Sequence, residues 1–202
     1  MSRAPRVCAA GLRALLIGTV SAVCFGAPAA FGADFTWSGG GGASATKWSN
    51  GANWLGDVPP TAGASIGTLT FPKLASGTVS EDDLSGVSVG SLNVDDSHGT
   101  NISGNGLTLG AGGLTLNASE LPPFKTFLLR TPLTLSATQT WNISAPNPKP
   151  LSSGIPNIEL AANLTGESAD LTINLNSLTW LFFESFLHEG HFDDELLSLI
   201  HI

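Results

Sequence analysis

Cysteine is nearly missing from this sequence: its two copies, Cys8 and Cys24, both lie in the first 24 of 202 residues. A disulfide framework and a thiol nucleophile are thereby excluded from everything downstream. Basic residues are also scarce, eight against sixteen acidic ones. Three of the eight, Arg3, Arg6 and Arg13, precede the apolar run Ala14 to Gly26. Thirteen residues are too few to cross a bilayer, which takes about 20. With the small residues of "APAAFGA" behind the run, and Ala30 and Gly32 in the small-x-small positions, the segment 1–32 reads as a secretory signal peptide. Val23, bulky and directly before Cys24, fits a lipoprotein signal poorly. Cleavage near Gly32 leaves five basic residues against sixteen acidic ones, a net charge of −11. Such a surface disfavours nucleic acid and anionic lipid as partners. No membrane span is expected in the exported part.

Charge of either sign is sparse beyond that point, and Gly, Ser, Thr, Asn and Leu dominate. Helices usually carry Glu, Lys, Arg and Ala on their exposed faces; here the exposed positions fall to Thr, Ser and Asn, the composition of strands. From about Thr78 the chain becomes short apolar pairs set between turn residues: "GVSVGSLNV", "GLTLGAGGLTL", "TPLTLSATQTWNI", "NIELAANL", "DLTINL". Each reads as a strand of three to five residues with period-two alternation. The tetrapeptide x-Leu-Thr-[Leu/Ile] starts at Gly106, Gly113, Pro132 and Asp170, so the offsets from Gly113 are nineteen and then thirty-eight. A period near twenty predicts an all-β fold, a right-handed parallel β-helix in which leucine stacks on leucine in successive coils and Thr and Asn ladder outside. The alternative is a β-sandwich. "ELPPFKTFLLRTP" predicts a bent connection followed by an edge-tolerant strand, because Pro122 and Pro123 cannot donate to a ladder. Prolines 146, 148, 150 and 156 predict a loop. The expected organisation is a signal peptide over 1–32, a cap over 33–77, repeats over 78–176 and an uncertain tail over 177–202.

Catalytic chemistry finds little to work with. No G-x-S-x-G elbow occurs, and only His98, in "DDSHG", has a serine and acids beside it; that piece reads as a polar turn. His188 and His191, with Asp193 and Asp194, are ligand types that zinc accepts, but their i, i+3 spacing differs from that of H-E-x-x-H. The acidic turns at Glu81, Asp82 and Asp83 and at Asp95 and Asp96 offer oxygen ligands for calcium without matching a known loop, and read as solvated corners. The expectation is therefore a non-catalytic chain with no cofactor and no metal.

Several phrases resemble the autotransporter-associated β-strand repeat proteins. The opening "TWSGG…KWSNGANWLGDVPPTAGASIGTLTF" looks like the start of such passengers, and "VGSLNVDD…NISGNGLTLGAGGLTL" and "PLTLSATQTWNIS" look like their strands; the likeness covers about Trp37 to Leu175. It implies a bacterial chain, exported and held at the cell surface or secreted, with a structural or adhesive role toward a surface receptor or an extracellular polysaccharide. It also implies a C-terminal anchor, which is expected to lie beyond this stretch of sequence. The last six residues, "LSLIHI", can be encoded by the end sequence of a transposase-based sequencing adaptor, so the reading frame is expected to be cut at 197–202.

Trp37, Trp48 and Trp54 stand within eighteen residues of Gly, Ala, Ser and Asn. They are read as plugs over the raw end of the coil stack, which repeat proteins must cover. The competing reading makes them a contact platform for carbohydrate. A polysaccharide-degrading β-helix remains the enzymatic alternative, although the repeats lack clustered acids.

Overall fold

An extended Leu-Thr-Leu segment points its leucines to one side and its threonine to the other, and one such strand cannot bury its apolar side alone. The computed structural model shows how this chain answers that need. It describes residues 32–42, 46–122, 125–144, 157–160, 164–166, 169–175, 181–183 and 200–201, all within one compact unit, Phe31–Ile202. The expected signal peptide up to residue 31, the proline-rich loop after Ser144, the four residues considered for zinc and most of the 177–202 tail lie outside the described residues.

Nearly every element is a strand, and two sheets result. Across the first run β1 (Phe35–Thr36), β2 (Ser65–Phe71), β4 (Val87–Asp95), β6 (Leu107–Asn117), β9 (Gln139–Ser144), β12 (Leu171–Leu175) and β14 (Ile200–His201). Two short strands, β8 (Leu133–Leu135) and β11 (Leu164–Thr165), extend this sheet from the first half of β6. The second sheet runs β13 (Leu181–Phe183), β10 (Asn157–Leu160), β7 (Thr126–Leu129), β5 (Asn101–Gly104) and β3 (Val79–Asp82). The chain passes back and forth between the sheets, and every ladder between these strands is parallel. The antiparallel hairpins of a β-sandwich are not what these strands form.

Parallel register puts like on like. Leu69, Leu92 and Leu114 succeed one another inside, as do Ile66, Val89, Leu109 and Leu135, all buried. Outside, Ser65, Ser88, Thr108, Thr134 and Thr165 make one column. Thr36, Thr70, Asn93, Thr115, Asn142 and Asn174 make another. Members of these columns bond along the stack: Thr134 and Thr165 hydroxyls meet at 3.1 Å, and Asn174 Nδ2 donates to Asn142 Oδ1 at 2.9 Å. Both asparagines are exposed, so Asn142→Ala is expected to cost about 0.5–1.5 kcal/mol, the net worth of one hydrogen bond, read from chemical denaturation.

The period departs from twenty. Thr70, Asn93, Thr115, Asn142 and Asn174, each paired with the next, stand 23, 22, 27 and 32 positions apart. The Leu-Thr-Leu segments after Gly106 and Gly113 do not belong to successive strands; both lie in the single eleven-residue strand β6. Glycine is the reason. Gly90 of β4 stands opposite Gly110-Ala111-Gly112 of β6, a bulge that shifts the register between Val89 and Ser91, and Gly113 takes φ +63° where a Cβ would overlap the Thr140 carbonyl. The bulge bends one strand into two segments, the first pairing with β8 and the second with β9. A second correction concerns β7, which is no edge strand: it lies between β5 and β10, and Pro122 stays in the preceding turn, its carbonyl accepting from Lys125 N–H.

Candidate functional site

The tryptophan-rich segment is the place to look for a site, since it stands between β1 and β2 and lines a groove. Its folding follows from its polar residues. Asn50 caps a short 3₁₀ turn, Gly51–Asn53, by accepting from Ala52 N–H. Asn53, fully buried, donates from Nδ2 to the Lys47 carbonyl and accepts at Oδ1 from Gly41 N–H. One amide side chain thus ties both halves of the segment together. The flanks then complete both sheets: β1 pairs with β2, while Trp48 N–H donates to the Glu81 carbonyl and Glu81 N–H to that of Thr46, extending the second sheet past β3. The first long strand, β2, begins at Ser65, inside the stretch expected to be cap.

The three indoles are packed inside this closure. Trp37, Trp48 and Trp54 are 1 %, 0 % and 1 % exposed. Trp54 stands edge-on to Trp37 at 5.1 Å and to Trp48 at 5.7 Å, with interplanar angles of 88° and 87°, and Phe71 lies beneath Trp37 and Trp48. Edge-to-face is the geometry that ring quadrupoles favour. Each indole N–H is used internally, by Thr78 Oγ1 at 3.3 Å, Ser80 Oγ at 2.6 Å and the Trp48 carbonyl at 2.7 Å respectively. The reading of these rings as a carbohydrate platform is corrected by this burial: a sugar would find no free indole face here.

Beside Trp37 a groove of about 570 Å³ opens between Ser38, Gly39, Gly42 and Thr46 on one side and Leu74–Val79 on the other. Ser38, Thr46, Ser76 and Thr78 supply hydroxyls, and Leu74 and Val79 supply apolar surface. No side chain among these lining residues titrates near neutral pH, so the groove can hold a small polar ligand by hydrogen bonds but offers it no acid or base.

The acidic turns do different work from that expected of solvated corners. At the first, Glu81 pairs with Lys47, and Asp83 accepts from the Ser49 hydroxyl at 2.6 Å and its N–H at 2.9 Å. Partial burial works against the Asp83 carboxylate, but the Ser49 bonds outweigh it and its pKa falls below the usual range. Asp82 points inward and is 1 % exposed. Its Oδ1 accepts from Leu84 N–H at 2.9 Å, its Oδ2 has no partner, and burial foremost pushes its pKa up to about 6. At the second turn Asp96 is buried and gathers the N–H groups of His98, Gly99 and Thr100 and the Thr100 hydroxyl. Ser97 Oγ and His98 Nδ1 lie 2.8 Å apart, yet the Asp96 carboxylate is bonded to backbone rather than to the imidazole, which leaves no Ser-His-Asp relay. Among the described residues no three His, Cys, Asp or Glu side chains converge as metal ligands.

Asp82 and Asp96 are buried where solvated acids were expected, and alternation carried the signal for the first: in Val-Ser-Glu-Asp, Ser80 and Asp82 share the inward side. Gln139 was likewise unforeseen. It accepts the Trp141 indole N–H at 2.9 Å and donates to the Leu109 and Ala137 carbonyls. Among the described residues no helix is long and apolar enough to cross a membrane. No protein-family model, curated protein or solved structure matches the chain.

Proposed function

We propose that this chain is a non-catalytic structural and adhesive region of an exported bacterial surface or secreted repeat protein, with its two sheets forming faces of a right-handed parallel β-helix. The observation that carries the reading is the run of in-register columns, apolar within and hydroxyl or amide without, over strands that alternate between the sheets. A stack of this kind lengthens by adding coils and spends its residues on a rigid surface rather than on a deep cavity. The hydroxyls of Ser38, Thr46, Ser76 and Thr78 in the groove beside Trp37 support binding of a polar ligand, and the acidic balance of the chain supports a partner other than nucleic acid. The partner class is a surface receptor or an extracellular polysaccharide.

Export tests the reading directly. Expressed from its natural gene, the protein is expected to begin near Gly32 when its amino end is sequenced, and to be cut by protease added outside intact cells. A cytoplasmic protein retaining Met1 would sink it.

A further inference from the structure

The outward column Thr70, Asn93, Thr115, Asn142 and Asn174 crosses five successive strands of the first sheet. Thr115, Asn142 and Asn174 are exposed, and Thr70 and Asn93 half-buried. Strand spacing sets these groups about 4.8 Å apart along the stack. Two residues upstream on the same face, about 6.6 Å along the strand, lies a companion column that includes Thr140 and Thr172.

Three features distinguish this face from an ordinary solvated surface. The column from Thr70 to Asn174 carries no charge, although the chain holds 24 charged residues with acids in twofold excess; the companion column meets Asp34, which accepts from Thr68 N–H, at one end and is in register with His201 at the other. Charged side chains are the usual means of keeping a sheet soluble and unpaired, and here the acids stand at the border, as Asp95 does at the end of β4, beside Asn117. Second, every group in the column can both donate and accept. Third, two of the groups, Asn142 and Asn174, are held by one another. Asn174 spends one donor on Asn142, which leaves the Asn142 NH₂ and the second Asn174 donor to face outward with little side-chain entropy left to lose.

We infer that this face binds an uncharged, extended polysaccharide lying along the stack, one sugar unit to about one rung. Hydroxyl and amide groups repeated at fixed intervals match a polymer whose own hydroxyls repeat, and Asp95 at the margin repels a polyanionic one. The inference rests on the adhesive reading and moves the contact from the buried tryptophans to the sheet.

Purified chain is incubated with cellulose and, separately, with polygalacturonate, and the bound fraction is measured. Binding to cellulose alone is expected, weakened at least tenfold in the double variant Thr115→Lys/Asn142→Lys and unchanged in Ser103→Lys on the other sheet. A second pair, Thr115→Val/Thr140→Val, keeps strand propensity while removing two hydroxyls, and is expected to weaken binding several-fold with an unchanged circular dichroism spectrum. Failure to bind cellulose, equal binding by folded variants, or preference for polygalacturonate would overturn the inference. Because the assay needs no export, such a failure leaves the surface location measured by protease untouched.

Discussion

Replacing Trp48 by alanine is expected to lower the folding free energy by about 3–5 kcal/mol, the range for removing a buried aromatic side chain. Trp48 is fully buried, meets Trp54 edge-on and Phe71 at 6.3 Å, and donates its indole N–H to Ser80. Truncation removes all of this at once. It leaves a cavity beneath Trp54 and strips the buried Ser80 hydroxyl of its donor. The loss is amplified by position: the residues around Trp48 extend β3 with backbone bonds to Glu81, so loosening them uncovers the end of the second sheet. Trp48→Phe refills most of the volume and orphans only Ser80, for an expected loss of about 1–3 kcal/mol. Equilibrium unfolding in guanidinium chloride measures both. A Trp48→Ala loss below about 1 kcal/mol would mean that the ring is not the plug described.

The columns were legible because alternation is a local property. Leu-Val-Leu inside and Thr-Asn-Thr outside follow from period two in any strand, and the short strands with their small turns are enough to imply stacking. Coil length was not legible. Gly110-Ala111-Gly112 reads as a turn between two strands, and only the neighbouring backbone of Gly90 decides that it is a bulge inside one. Burial of the tryptophans was expected only through the argument that a stack needs an end; the segment around them is folded by Asn50 and Asn53, whose caps and crosslinks depend on partners up to twelve residues away. Acidic turns misled for a related reason. A run such as Glu81-Asp82-Asp83 looks uniformly solvated, whereas in a strand its members alternate between water and core, and the middle acid is forced inward.

That forced burial makes Asp82 a pH-dependent weakness of the fold. Its carboxyl keeps its proton up to about pH 6 in the folded chain, against 3.8 ordinarily, because burial penalises the charge more than the Leu84 N–H relieves it, and the nearby Asp83 charge adds to the rise. Between these values the folded chain binds more protons than the unfolded one, so stability falls as pH rises. The contribution is complete below about pH 4 and gone above about pH 6, and its size is about 3 kcal/mol at 1.36 kcal/mol per pH unit. Asp82→Asn keeps an oxygen for Leu84 N–H and cannot ionise. The variant is expected to gain up to about 3 kcal/mol at pH 8, less the cost of burying an unpaired amide donor, about 1–3 kcal/mol, and to gain nothing at pH 4. Urea midpoints for both proteins from pH 4 to 8 test this: the parent should weaken across the range and the variant should weaken less. Parallel curves would show that Asp82 is solvated or finds a partner for its free oxygen, and the inward turn of β3 would then have to be redrawn.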